Sequence, residues 1–329
     1  MRYPRAIRCV WGPALAAVLV CGAAAQPADF TKRLTEGQQL RAQSRFADAR
    51  AMYQALLRDL RNDPPHYVLE GLVYDRLGLD EQDSGDYAAA ETAFNHGLAA
   101  VHAQNGDDLT VILLKTHLAE LYIAEARPDD AEGLLRPSVA ALKSSTLPDP
   151  IALATATEDL AVVCIMRHKL VEPEGLLRES QALLENAAGP DDPRLTSTLM
   201  TYAGLMTAQH RSDEALQAAE RAWKVLSSSP APIAQPYAAS VLSVMGAVYF
   251  HAGRVAEAEK FASRAVELAA NSLGLTHPRL GLYLNNYAVI LKSNGHKSEA
   301  KAVHKKAEEI IEQNSSGSGG YTVNVASLR

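Results

Sequence analysis

Apolar residues in this chain follow the spacing i, i+3, i+4, i+7 from about residue 31 to residue 313, which is typical of helices with one buried face. The pattern restarts at short turns that each lead to a small residue, as in Arg211-Ser212-Asp213-Glu214-Ala215. Those small residues, or the residue in their place, fall at positions 49, 90, 131, 173, 215, 258 and 300. A recurrence every 41 to 43 residues predicts an all-α solenoid of about seven antiparallel helix pairs, each stacked on its neighbours.

Two further small positions accompany each turn, one twelve residues before it and one seven residues after it. The earlier position holds Gly37, Gly78, Ala119, Ala161, Ala203, Gly246 and Ala288, and the later one holds Gly97, Ser138, Ser180, Ala222, Ala265 and Ala307. Small side chains at fixed positions let two helices approach closely. The first copy departs from the pattern with Leu56, and the fourth has Pro173 at its turn, where a first helical turn tolerates proline.

This three-point pattern resembles the tetratricopeptide repeat, and its period, longer than the usual length of about 34 residues, resembles the kinesin-light-chain variety. The best copy runs Leu273-Gly274-Leu275-Thr276-His277-Pro278-Arg279 and continues as Leu284-Asn285-Asn286-Tyr287-Ala288. The resemblance implies a right-handed superhelix, and we assign residues 26–313 to it. HEAT or armadillo repeats are the structural alternative, since their period is similar, but they do not require the three small positions.

The first 25 residues are predicted to be a secretory signal peptide. Arg2, Arg5 and Arg8 precede an apolar run, and Ala23-Ala24-Ala25 forms a cleavage site before Gln26. The apolar run is shorter than the roughly 20 residues of a membrane span. We therefore expect an exported, periplasmic bacterial protein, with a lipid anchor at Cys21 or an N-terminal membrane anchor as alternatives.

The last segment, residues 314–329, is predicted to be a Gly/Ser-rich linker followed by a tail. Residues 321–329 alternate between apolar and polar in the manner of a strand. A disordered tail is one interpretation. The other is a short docking peptide for the protein's own groove or for a partner.

Composition excludes several functional classes. The formal net charge is −6 and no basic stripe is present, which argues against nucleic acid as a partner.

Cys9 and Cys21 lie in the signal segment, and Cys164 is expected to be a buried structural thiol. No metal-binding spacing, phosphate loop or nucleophile elbow occurs, so we predict no enzyme activity, no metal and no cofactor. His277 is expected to cap a helix.

The resemblance implies that the first helix of each pair lines a concave groove. The predicted groove residues are Asp75, His117, Glu120, Ile123, Glu158, Asp159, Ile165, Met200, Thr201, Phe250, Asn285 and Asn286. The acidic members predict a basic or apolar partner segment, and the asparagine amides can bond an extended peptide backbone. We therefore expect a non-enzymatic scaffold that binds an extended peptide or a partner protein.

Two alternatives remain open at this point. One is an accessory or regulatory subunit of an envelope enzyme or assembly complex, and the other is a carrier of small ligands or cell-wall fragments. The sequence leaves the partner and the oligomeric state undetermined.

Overall fold

Each copy of the repeat folds as two helices joined by a turn. The structure is a computed structural model that describes residues 28–42, 45–60, 66–84, 86–102, 108–146 and 148–315. Within these ranges there are fourteen α-helices and no strand, so the all-α prediction is confirmed. The predicted signal segment and the tail 316–329 lie outside the described residues.

The chain divides into two units, and the first unit comprises described residues 28–146. Its helices are α1 (Ala28–Ala42), α2 (Phe46–Leu60), α3 (Tyr67–Ser84), α4 (Tyr87–His102), α5 (Asp108–Ala124) and α6 (Pro128–Ser144).

The second unit comprises described residues 148–315. Its helices are α7 (Pro150–Met166), α8 (Glu172–Ala188), α9 (Leu195–Ala208), α10 (Ser212–Ser228), α11 (Ala231–His251), α12 (Val255–Leu273), α13 (Pro278–Ser293) and α14 (Lys297–Ser315).

Five of the turns inside the pairs, those after α5, α7, α9, α11 and α13, share one backbone geometry. Ala126, His168, His210, Gly253 and Gly295 each take a positive φ just after a first helix. The next residue then donates its N–H back to the helix, as Arg211 does to the Met206 carbonyl at 2.8 Å and Arg254 does to the Tyr249 carbonyl at 2.9 Å. Such a left-handed residue ends a helix and satisfies its last carbonyls. The repeated turn motif is therefore a helix stop followed at once by a helix start.

Two of the helix starts between the pairs, those of α7 and α13, use side-chain caps. The His277 imidazole accepts a hydrogen bond from the Arg279 N–H at 3.1 Å at the start of α13, which confirms its predicted capping role. The Asp149 carboxylate does the same for Ile151 and Ala152 at the start of α7. Pro173 lies in the first turn of α8, where it displaces no helical hydrogen bond.

The small positions bring the two helices of a pair into close contact. Ala49, Ala90, Ala131 and Ala258 are fully buried. A Cβ built on Gly78 would lie 2.6 Å from the Phe94 ring, so no larger residue fits that position without rearrangement. Cys164 is likewise buried, as predicted.

Successive first helices also contact one another within each unit. In the first unit α3 contacts both α1 and α5, and in the second unit α9 contacts both α7 and α11 while α11 contacts α13. Second helices make no comparable contact with each other in the described parts of the chain. First helices therefore form a closely spaced inner layer and second helices a more widely spaced outer layer.

Candidate protein-binding surfaces

All twelve predicted groove residues lie on inner-layer helices, but half of them are buried. The buried members are Asp75, Glu158, Asp159, Ile165, Met200 and Thr201, and the half-buried members are His117, Glu120, Ile123, Phe250, Asn285 and Asn286. They are distributed over the two units, so each unit presents its own set. That the accessible members contact a partner remains a prediction.

The burial of Asp75 follows from the contact between inner helices. Its Oδ1 atom lies 2.6 Å from Nδ1 of His117 on α5, and its Oδ2 atom lies 3.7 Å from Nε of Arg76. Burial acts to raise the pKa of Asp75, but attraction to His117 and Arg76 outweighs it and lowers that pKa below its usual value. Asp75 therefore links α3 to α5.

A second ionic contact joins α1 to α3 in the same unit. Arg41 Nε lies 2.7 Å from Oδ1 of Asp80, and Arg41 Nη2 lies 2.6 Å from Oδ2 of Asp83. Asp80 is fully buried, and burial raises its pKa to about 7 although Arg41 opposes the shift. Arg41, Asp75, Arg76, Asp80 and His117 form what we call the ion cluster.

Sequence reasoning identified Asp75 and His117 but missed Arg41 and its partners Asp80 and Asp83. For Arg41 and Asp83 a usable signal was present, because these opposite charges stand one repeat period apart, as Asp75 and His117 do. Arg41 precedes Asp83 by 42 residues, and Asp75 precedes His117 by 42 residues. In a repeat array, residues one period apart occupy equivalent places on neighbouring repeats.

In the second unit the carboxyl of Glu158 on α7 is held by hydroxyls of α9. Ser197 donates to it at 2.5 Å, Thr198 at 2.8 Å and Thr201 at 3.4 Å. Nearby, Ser180 donates to the Ala154 carbonyl at 2.9 Å. We call Glu158 with Ser197, Thr198 and Thr201 the hydroxyl network. Like the ion cluster, it links two inner helices.

The accessible predicted residues lie on one inner helix of the first unit and on two inner helices of the second. We call His117, Glu120 and Ile123 on α5 the first inner surface, and it combines an acid with an aliphatic side chain. The second inner surface consists of Phe250 on α11 with Asn285 and Asn286 on α13. Asn285 Oδ1 lies 3.0 Å from Nδ1 of His304 on α14, which positions that amide.

Metal sites and membrane spans are the two other kinds of site to consider. No group of three or more His, Cys, Asp or Glu side chains that could hold a metal ion occurs within the described ranges. None of the helices that the structure describes is long and apolar enough to cross a membrane.

Comparison with known proteins relates the fold to tetratricopeptide repeats. A tetratricopeptide-repeat family model matches residues 237–313, which begin within α11 and end within α14. No curated protein matches the chain in sequence.

Several solved structures share the architecture. The apo form of RapI has a TM-score of 0.67 at 12% identity, covering 88% of this chain and 100% of RapI. The Rap conjugation gene regulator of plasmid pLS20, solved in complex with a Phr peptide, has a TM-score of 0.66 at 12% identity, covering 90% of this chain and 81% of the regulator. BtubC (BKLC) from P. vanneervenii has a TM-score of 0.53 at 20% identity, covering 76% of this chain and 94% of BtubC.

Identities this low establish the fold and nothing more specific. The chain is a helical-repeat solenoid of the tetratricopeptide type, as its small-residue pattern predicted. Folds of this class present extended surfaces to protein partners.

Proposed function

We propose that this protein is a non-enzymatic scaffold that binds an extended peptide or protein segment on its inner-layer surfaces. The observation that carries the proposal is the partial exposure of apolar side chains, Ile123 and Phe250, on helices fixed by buried inter-repeat contacts. The peptide bound by the pLS20 regulator supports it as an example from the same fold.

The chemistry of the two inner surfaces favours an extended segment with apolar side chains. Ile123 and Phe250 supply apolar contact, and because each is already half-buried, covering the remainder can contribute about 0.7–1.5 kcal/mol. Asn286 can donate to and accept from a peptide backbone, while the Asn285 amide oxygen already lies 3.0 Å from Nδ1 of His304 on α14. Of the four acids predicted to attract a basic partner, only Glu120 is partly accessible, so we expect charge to contribute less than apolar contact.

The test begins with chemical cross-linking of the full chain in its native envelope, to identify a partner. Association and dissociation rates are then measured for Ile123→Ser and Phe250→Ser. Each change should speed dissociation about three- to tenfold, since tenfold corresponds to about 1.4 kcal/mol. Val171→Ser is the matched control, because Val171 is 91% exposed in the turn before α8.

Unchanged dissociation in both inner-surface variants would place the partner elsewhere and contradict the proposal. A ligand-dependent rise in melting temperature without any protein partner would favour the small-ligand carrier instead.

We also propose that the chain is exported and cleaved before Gln26. The support is the order of basic residues, apolar run and alanines at the start of the sequence. Mass spectrometry of the protein from its native host should give a mature chain beginning at Gln26. An intact Met1 or a lipid on Cys21 would contradict this form of export.

A further inference from the structure

A cleft of about 500 Å³ opens on the outer layer of the second unit, away from the inner surfaces. Its walls come from the second helices α10 and α12, and its floor is the first helix α11. The cleft exists because second helices are more widely spaced than first helices. We call it the outer cleft.

The outer cleft has an aromatic lining. Tyr249 on its floor is 6% exposed, and its ring centroid lies 4.9 Å from that of Phe261 on α12. The Tyr249 hydroxyl donates to Glu220 at 2.7 Å, which fixes the ring. Trp223 on α10 faces the cleft from the other wall, and both Trp223 and Phe261 are only half-buried. Partly exposed aromatic rings around a recess can accept an apolar side chain.

Basic side chains border the same recess. Arg254, Lys260 and Arg264 all line it, against the single acid Glu257. The Arg254 guanidinium lies 4.6 Å from the Tyr249 ring centroid and donates to Glu257 at 3.0 Å, so it is held in place. Exposed Lys260 makes no ion pair with any residue that the structure describes. Arg264 pairs with the exposed Glu267 at 2.9 Å, so the positive charge that is open to a ligand is centred on Lys260.

The repeats provide an internal control for this composition. Counted from the small residues, the four cleft positions of interest hold Trp223, Tyr249, Lys260 and Phe261. One repeat earlier these positions hold Gln181, Met206, Gln217 and Ala218, and one repeat later they hold Val266, Leu291, Ala302 and Val303. Helix stacking therefore does not require Trp223, Lys260 or Phe261 there. The Tyr249 position does recur in the first unit as Tyr122, which has Arg127 over its ring and donates to Glu91, so Tyr249 belongs to the packing. The concentration of Trp223, Lys260 and Phe261 around one recess points to a ligand rather than to packing.

We propose that the outer cleft binds an acidic linear segment of another protein that carries an aromatic or leucine side chain. The apolar side chain would enter between Trp223 and Phe261, and neighbouring carboxylates would meet Lys260 and Arg264. Aromatic anchors in a recess with charged residues at the rim are the usual arrangement of a peptide-binding hot spot. This site is independent of the inner surfaces and of their proposed partner.

The test uses a random heptapeptide display library selected against the full chain. The enriched peptides should combine an aromatic residue or leucine with Asp or Glu. Trp11 and Trp223 are the two tryptophans of the chain, so in a Trp11→Phe background the emission of Trp223 reports directly on the cleft. Binding of a synthetic enriched peptide should shift that emission.

Two variants separate binding from folding. Lys260→Glu changes an exposed side chain and should weaken peptide binding roughly tenfold or more, since it replaces attraction by repulsion. Lys301→Glu, an equally exposed lysine on α14, is the matched control and should change binding less than about twofold. Trp223→Ala should abolish binding, with its fold checked by circular dichroism.

Four outcomes would overturn the proposal. The library could enrich no acidic aromatic peptides, or enriched peptides could bind Lys260→Glu as well as they bind the unaltered chain. A synthetic peptide of residues 321–329 could compete for the cleft, which would make the protein's own tail the occupant. A change of oligomeric state on Lys260→Glu, seen by sedimentation, would make the occupant a second copy.

Discussion

Inner helices of the first unit are linked through charged side chains, whereas α7 and α9 of the second unit are linked through a carboxyl and neutral hydroxyls. In the ion cluster, Arg41 meets Asp80 and Asp75 meets His117, with the two acids fully buried. In the hydroxyl network, Glu158 accepts from Ser197 and Thr198.

The two units also differ in how the two helices of a pair pack against each other. Gly78 of the first unit lies against the large ring of Phe94, while Gly246 of the second unit lies against Ala262 and the backbone of α12. The comparison shows that the repeat fixes the spacing of helices but leaves the chemistry between them free to vary. Stability in the first unit should therefore depend on charge and on aromatic fit, and stability in the second unit should depend on small-residue packing.

Asp75→Ala should have the largest effect. It leaves Arg76 and His117 inside the first unit without their buried acid, and breaking a buried ion pair typically costs about 3–5 kcal/mol. We expect urea denaturation to show this loss and hydrogen exchange to place it in α3 and α5.

Asp48→Ala is the control for Asp75→Ala. Asp48 pairs with Arg45 on the surface, where an ion pair contributes less than about 1 kcal/mol. Equal costs for the two substitutions would show that the ion cluster does not stabilise the first unit.

Sequence reasoning predicted the fold well because a regular repeat with fixed small positions is compatible with few arrangements of helices. Positions such as Ala49 and Ala258 must be small wherever two helices touch, and they recur at a constant period. The same logic predicted the cap at His277 and the tolerance for Pro173. These are local rules that tertiary context did not alter.

Accessibility within the groove could not be predicted in the same way. Asp75 and Met200 occupy groove positions by count, but contact between neighbouring inner helices buries them. That contact depends on the tilt between successive pairs, which no single repeat encodes. The outer cleft was missed because Trp223 and Phe261 are 38 residues apart and belong to different repeats.

A matched pair of glycine substitutions tests the difference in packing. Gly78→Ala would place a Cβ 2.6 Å from the Phe94 ring and should destabilise the first unit by about 1–3 kcal/mol. At Gly246 the nearest atoms lie at 3.3 Å, so the better helix propensity of alanine, worth up to about 1 kcal/mol, should offset most of the strain. Thermal denaturation of both variants measures the contrast, and similar losses in the two would contradict it.

Asp80 gives the first unit a pH dependence. Because its pKa in the folded protein is raised to about 7, the folded state holds a proton that the unfolded state has already lost above about pH 4. The stabilisation that this proton provides is present at low pH and is lost as the pH rises through 7. Relative to Asp80→Asn, the chain should lose about 2 kcal/mol between pH 5 and pH 7. Urea denaturation at both pH values checks this. An unchanged difference between chain and variant would mean that Arg41 keeps Asp80 ionised throughout.

Glu158→Gln should have the smallest effect, although Glu158 is as deeply placed in the second unit as Asp75 is in the first. Glutamine keeps the length of the side chain and one carbonyl acceptor, and the hydroxyls of Ser197 and Thr198 can accept as well as donate. The network can therefore stay satisfied, and the expected cost is about 1 kcal/mol, the net value of one hydrogen bond. Urea denaturation measures it, and Glu158→Ala, which empties the position, should cost more. If Glu158→Gln instead costs as much as Asp75→Ala, the second unit also depends on buried charge, and the chemical difference between the two sets of inner helices disappears.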